Sequence, residues 1–206
     1  MMREVLRRAC AAEFGHEVVG EAFSGRQAIE TVLRTAPDLL LLDLQLPEMS
    51  GLDALAQLRR HPCQFQTLIL SSCCDDYTVF RVEQERVSGF VLKNTSTVSM
   101  LGEALEAISR GQPYFSEAFQ IKSAKRRANP TAFDKLLTDR ERLILIMLSR
   151  SPTDRIVGDQ LGISPETVEK HRFNIFRKLG LRSTAELVRF AEAHGFNQLE
   201  IERAEN

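Results

Sequence analysis

The stretch Pro37-Asp-Leu-Leu-Leu-Leu-Asp43-Leu-Gln-Leu-Pro47-Glu-Met-Ser-Gly51-Leu-Asp53 constrains the fold more than any other part of this 206-residue chain. Its four consecutive leucines predict a strand buried on both faces, of the kind found inside a parallel sheet. That strand delivers one carboxylate, Asp43, to its carboxyl end, and Pro47 and Gly51 turn the chain before the next helix. An acid on a loop at the end of a buried strand is where an open α/β sheet does its chemistry.

Around this segment helices and strands alternate. Val5, Leu6, Ala9 and Ala12 keep a helical period that Gly15 stops, and His16–Phe23 is a short strand candidate. Ser24 caps a helix carrying Ala28, Ile29, Val32 and Leu33 on one face. After the leucine strand come a helix with Leu52, Leu55 and Leu58, a strand at Thr67–Ser71 and a helix through Tyr77–Arg86. Gly89–Leu92 forms a strand ending at Lys93, and a helix from near Thr97 turns Val98, Leu101, Leu105 and Ile108 inward. Such alternation predicts βαβ units around a parallel sheet.

After Gln112-Pro113 the character changes. Lys122, Lys125, Arg126, Arg127, Asn129 and Pro130 make a polar, basic, aperiodic stretch that reads as a linker. Beyond it everything is helical. Thr138-Asp-Arg-Glu141 and Ser183-Thr-Ala-Glu186 have capping-box spacing, and a short helix runs from Thr153 to Leu161. Ser164-Pro165 opens the next helix as N-cap and first helical residue, and Gly180 closes it. Two helices joined by the tight Gly162-Ile163 turn, within a set of four, predict a helix-turn-helix module.

Bulk properties exclude little. A net charge of −1 requires any nucleic-acid site to come from local clustering. No run is long enough to span a bilayer, and Met1-Met2-Arg-Glu-Val is no secretory signal, so no membrane partner is expected. Cys10, Cys63, Cys73 and Cys74 have neither metal-ligand spacing nor the density of a disulfide framework, which points to a reducing, cytoplasmic setting. The vicinal Cys73-Cys74 pair reads as small loop residues rather than a redox switch.

Three strand ends supply Asp43, Ser71 and Lys93, which a doubly wound sheet brings side by side. A carboxylate, a hydroxyl and an ammonium converging on one pocket suit a covalent aspartyl phosphate. Asp43 would attack phosphorus, Lys93 would neutralise the developing charge and Ser71 would bond a phosphoryl oxygen. Read singly, each has a plainer role as cap, turn residue or solvated lysine.

Residues 1–118 resemble the receiver domain of bacterial two-component response regulators, in PDLLLLDLQLPEMSGLD, LILSS and SGFVLKN. The resemblance implies a flavodoxin-like, doubly wound parallel sheet, phosphorylation of Asp43 by a sensor histidine kinase, and magnesium bound by Asp43 and the backbone carbonyl of Gln45. It makes Phe90 the aromatic switch residue, with core packing the alternative. The chain departs from the pattern at its start, where a first hydrophobic strand ending in an acidic pair is expected and a helix is found. Glu4 and Glu13 cannot replace that pair, so magnesium is expected to bind weakly or not at all. The first strand is central in the 2-1-3-4-5 order, and without it the neighbouring strands keep open edges. The opening reads as a late start or a shortened chain, with Met1 or Met2 internal to a longer protein.

Residues 137–206 follow the linker at 119–136 and, through Leu137–Gly195, resemble the NarL/FixJ/LuxR-type helix-turn-helix. The resemblance is most specific in Gly162-Ile-Ser-Pro-Glu-Thr-Val-Glu-Lys-His-Arg172 and Lys178-Leu-Gly180. Helical spacing puts Val168, Ile175 and Leu179 inward and Glu169, Lys170, Phe173 and Arg177 outward, a mixed, basic face suited to a major groove. The resemblance implies that Glu169, Lys170 and Phe173 face bases while Thr167, Arg172, Asn174 and Lys178 hold phosphates. His171 reads as a packing or phosphate-side residue. Ser183–His194 is expected to support a homodimer on double-stranded DNA. The whole then reads as a transcription regulator rather than an enzyme. The alternative is a phosphorylation-independent regulator or protein-interaction module with a degenerate receiver.

Overall fold

The computed structural model describes residues 2–94, 98–151 and 153–197, without the side chains of Met2, Arg3 and Val5. The expected inward position of Val5 and the helix start near Thr97 therefore lie outside the described residues. The chain divides into two compact units, Met1–Cys74 with Arg81–Ile121, and Asp75–Phe80 with Lys122–Asn206.

In the first unit α1 (Met2–Arg8) runs on as a π-helical turn over Ala9–Glu13, and Gly15 ends it with φ of 68°. Ser24 caps α2 (Gly25–Thr35) by accepting from the Gln27 N–H at 3.4 Å. There follow β1 (Leu39–Asp43), α3 (Gly51–Leu58), β2 (Gln66–Ser71), α4 (Asp76–Gln84), of which only Arg81–Gln84 belongs to this unit, β3 (Gly89–Leu92), α5 (Val98–Ser109) and β4 (Tyr114–Phe115). The four strands pair in parallel in the order β1-β2-β3-β4, the parallel sheet that the alternation predicts, in the flavodoxin-like architecture that the resemblance implies. On one face Leu68, Leu70 and Val91 pack with Cys10 and with Leu101, Ala104, Leu105 and Ile108 of α5. The α3 leucines Leu52, Leu55 and Leu58 are fully buried.

Three expectations change. His16–Phe23 forms no strand. A segment needs a ladder partner to become a strand, and none of the described strands pairs with this one. The leucine strand is not buried on both faces: Leu42 is buried, whereas Leu39, Leu40 and Leu41 are only half-buried. The physical reason is position, because β1 is an edge of the sheet among the described residues. Val98 is exposed while Leu101, Leu105 and Ile108 are buried, since Val98 occupies the opening turn of α5.

The stretch expected to be an aperiodic linker is largely α6 (Glu117–Ala128), followed by α7 (Phe133–Leu136). Tertiary polar contacts hold it. Arg126 pairs with Asp134, and the Lys135 ammonium donates to the carbonyls of Arg127 and Asn129 at 2.6 and 2.8 Å, closing the end of α6. Cations at a helix C-terminus satisfy its last carbonyls and complement its dipole.

The second unit continues with α8 (Asp139–Arg150), α9 (Asp154–Leu161), α10 (Pro165–Leu179) and α11 (Thr184–Ala193). Thr138 and Glu141 form the full capping box. Ser183 makes only half of one: it accepts from the Glu186 N–H, but the Glu186 carboxylate takes the Arg182 N–H at 2.7 Å instead of reaching back to Ser183. Gly162 and Gly180 end α9 and α10 in the left-handed region at φ of 63° and 69°, where a Cβ is disfavoured. Val157, Val168, Ile175, Leu187 and Ala191 join Ile144, Leu145 and Leu148 in the buried core. Of the apolar residues expected on α11, Leu187 and Ala191 are buried and Val188 is half-buried.

Candidate functional site

The parallel register sets Asp43 beside Leu70 and Ser71 beside Leu92, so the three strand ends meet at one edge. Lys93 follows β3 directly, anchored by its N–H on the Ser71 carbonyl at 2.8 Å, and its ammonium forms an ion pair with Asp43 Oδ2. Asp43 Oδ1 accepts the Gln45 N–H at 3.1 Å. Ser71 is buried and its Oγ accepts the Cys73 N–H at 3.1 Å. The sequence-derived trio is thus brought together, with both oxygens of Asp43 engaged.

The loop carrying Asp43 is held by Gly51, whose N–H donates to the Leu44 carbonyl at 2.9 Å. A Cβ on Gly51 would sit 2.1 Å from the Asp43 carbonyl oxygen, so only glycine allows α3 to start this close. Ser50 caps α3 and donates to Asp53 Oδ2 at 2.7 Å, while Arg81 holds Asp53 Oδ1 at 2.8 Å. Sequence reading did not single out Asp53 and Arg81, which lie 28 residues apart with no local spacing to link them. Nor did it single out the Gln45 amide, 3.8 Å from Cys73 Sγ. Phe90 is fully buried with its ring 4.9 Å from that of Phe119 on α6, a core position.

Receiver domains typically use magnesium. Among the described residues no group of three or more His, Cys, Asp or Glu side chains could hold a metal ion. The candidate donors are Asp43 and the Gln45 carbonyl, and Asp43 is already tied to Lys93 and the Gln45 N–H. Magnesium demands six near-ideal oxygen positions. This set does not fit it as a resident ion.

On α10 the outward residues stand as spacing predicts: Glu169, Lys170, Phe173 and Arg177 are exposed, Phe173 at 66%. Thr167 is exposed at the helix start, its Oγ1 3.1 Å from Ser164 Oγ, and Asn174 is half-buried. His171 is half-buried too. Two residues expected at phosphates have their charges engaged inside the unit. The Arg172 guanidinium pairs with Asp154 at 2.8 Å. The Lys178 ammonium donates to both oxygens of Glu141 at 2.9 and 2.6 Å, and Glu141 is only 4% exposed. Burial pushes the Glu141 carboxyl up, but hydrogen bonds from Lys178 and Thr138 outweigh it and leave the group below its ordinary value.

The response regulator receiver domain family matches residues 1–106, and the luxR family of bacterial regulatory proteins matches residues 135–191. This chain belongs to the response regulators. Its relatives include the response regulator protein VraR of Staphylococcus aureus, 31% identical over 182 residues, covering 88% of this chain and 87% of VraR. A LuxR-family two-component response regulator from Aurantimonas sp. SI85-9A1 is 28% identical, with a TM-score of 0.57, over 62% of this response regulator and 91% of that chain. RcsB from Salmonella enterica serovar Typhimurium, solved bound to promoter P1flhDC with the phosphomimetic BeF3−, shares the fold at a TM-score of 0.61. It is 17% identical, over 92% of this chain and 94% of RcsB.

Proposed function

We propose that this response regulator is a transcription factor that takes phosphate on Asp43 from a sensor histidine kinase and binds promoter DNA through α10 as a homodimer. The Asp43–Lys93 ion pair beside Ser71 carries the phosphate half of this reading. An Asp43 oxygen attacks phosphorus, the bond from phosphorus to the kinase imidazole breaks, and the Lys93 ammonium moves from the carboxylate to a phosphoryl oxygen. Phosphorylation then shifts a pre-existing equilibrium toward the DNA-binding form. The protein works in the cytoplasm and has no substrate beyond its own phosphate, and no described helix is long and apolar enough to cross a membrane.

Incubation with acetyl phosphate and magnesium should add one phosphoryl group, absent in Asp43→Asn, with uptake that keeps rising across the millimolar magnesium range. No added mass under any condition would favour the second reading, a regulator that works without phosphate. The incomplete donor set at Asp43 is the observation behind that alternative.

For DNA, the exposed face of Glu169, Lys170, Phe173 and Arg177 supplies hydrogen-bonding, cationic and apolar groups for base edges, Phe173 facing thymine methyls. Thr167 and Asn174 serve phosphates, while Lys178 and Arg172 are engaged by Glu141 and Asp154 within the fold. On a duplex selected from random sequence, Lys170→Ala should weaken binding about tenfold or more, and weaken random duplex much less. Equal loss on both would make Lys170 a phosphate contact only.

A further inference from the structure

The loop from Asp43 to α3 is held in a form that its own residues do not favour. Glu48 lies at φ of 74°, in the left-handed region that costs a residue with a Cβ. Such strain persists only where the surroundings fix the segment. At one end the Gln45 N–H is tied to Asp43 Oδ1 at 3.1 Å. At the other, Ser50 accepts the Asp53 N–H at 3.1 Å and donates to Asp53 Oδ2 at 2.7 Å, and Arg81 grips Asp53 Oδ1 at 2.8 Å. The Gly51 N–H then bonds the Leu44 carbonyl at 2.9 Å, one residue from the acceptor. Arg81 and Asp53 both belong to the first unit, and their side chains are only 19% and 15% exposed, so salt screens the pair weakly. Because α3 follows β1 and α4 follows β2, the pair also ties together the helices that leave the Asp43 and Ser71 strands.

We propose that Arg81 and Asp53 are positioning residues for phosphoryl uptake, clamping the strained loop so that Asp43 stays aimed at phosphorus. This role rests on Asp43 as the phosphoryl acceptor. The clamp acts through Ser50 and Gly51 on the backbone of Leu44, and so on the direction of the Asp43 carboxylate rather than on its charge, which Lys93 meets. A misdirected acceptor loses rate, not affinity for the phosphodonor. Glu85, half-buried just past the end of α4, also lies near Arg81; burial pushes its carboxyl up against the pull of Arg81 and Arg59. It offers the guanidinium a second acid when Asp53 is neutralised, which lets Asp53→Asn fold.

Phosphoryl uptake with magnesium, followed on the full 206-residue chain across acetyl phosphate concentrations, tests this. Arg81→Met should lower the saturating rate about tenfold or more and leave the half-saturating acetyl phosphate concentration unchanged. Arg81→Lys, which keeps the cation, should recover most of that rate. Asp53→Asn keeps an acceptor for Ser50 and should lose rate to a similar degree, and the double variant with Arg81→Met should fall no further. Hydrogen exchange reads the clamp without phosphate: the Gly51 amide should exchange about tenfold faster in Arg81→Met, with Leu68–Leu70 of β2 unchanged. Melting of the helical circular dichroism signal gives the folded fraction of each variant. Variants that melt earlier but keep the wild-type saturating rate per folded molecule overturn the proposal, leaving an ion pair that serves stability alone. A raised half-saturating concentration at an unchanged saturating rate also overturns it, as does Gly51 exchange at the wild-type rate in Arg81→Met. A wild-type chain that takes up no phosphoryl group overturns the Asp43 reading and the role built on it. Equal uptake by wild type and variants overturns the role alone.

Discussion

Lys178→Ala should cost the C-terminal unit about 3 kcal/mol, read as a lower urea midpoint for loss of helical signal. The lysine is the main cationic partner of a carboxylate that is 4% exposed, and removing it strands the Glu141 charge in the core. Thr138 still donates its N–H at 2.8 Å and its hydroxyl at 3.0 Å, so the cap softens the loss without replacing the ammonium. A double variant, Glu141→Gln with Lys178→Met, keeps an acceptor for the cap and removes both charges, and should recover most of the stability. A cost below about 0.5 kcal/mol for Lys178→Ala would mark the pair as an ordinary surface bridge. The same pair sets an acid limit. Because folding lowers the Glu141 carboxyl, its contribution is fully present above the unfolded value of about 4.3 and drains away as pH falls through the folded one. Acid unfolding of the wild-type unit should therefore be steeper than that of the double variant below about pH 4.5.

Gly51→Ala should disturb the Asp43–Ser71–Lys93 site without touching any of its side chains. The new Cβ would lie 2.1 Å from the Asp43 carbonyl oxygen and 3.1 Å from the Leu44 Cα, both backbone, so no side chain can swing aside. The loop between β1 and α3 must shift, straining the Gly51 N–H bond to Leu44 and carrying Asp43 away from Lys93 and Ser71. Overpacking of this kind costs about 2 kcal/mol. A displacement of about 1 Å at the attacking group lowers the rate of phosphoryl uptake on Asp43 by about a hundredfold. Stability and uptake are separate readouts, and an unchanged melting curve would show that the loop absorbs the methyl group. Gly51→Ser, with a larger side chain at the same Cβ, should be no milder.

The elements legible in the sequence are those whose signals are local. The Thr138–Glu141 cap, the Ser164-Pro165 start and the glycine ends of α9 and α10 all form where short-range spacing places them. The outward stripe of α10 follows from a helical period and needs no partner. Errors arise where a neighbour decides. Ser183 and Glu186 have capping-box spacing, yet the Arg182 N–H, one residue earlier, takes the carboxylate. Residues 117–128 lack an apolar period but form a helix, because Asp134 and Lys135 supply the contacts that hold it. His16–Phe23 has the composition of a strand and pairs with no strand among the described residues.

For the candidate site the division is similar. Asp43, Ser71 and Lys93 are recognisable because each ends a strand, and parallel pairing brings strand ends to one edge of the sheet. Spacing alone cannot reveal that Lys178 serves Glu141, 37 residues away, or that Arg172 serves Asp154, 18 residues away. A lysine or arginine on a basic helix looks the same in sequence whether it faces a phosphate or a buried acid.

By itself, then, the sequence determined the parallel sheet, the meeting of Asp43, Ser71 and Lys93 at its carboxyl edge, and the outward face of α10. Each depends on chain-local periodicity or on which residue ends a strand. Only the tertiary structure decided that Gly51 is wedged against the Asp43 carbonyl and that Lys178 neutralises a buried Glu141. Those outcomes depend on which distant groups come within a few ångströms. Burial strengthens or penalises such contacts only after the chain has packed.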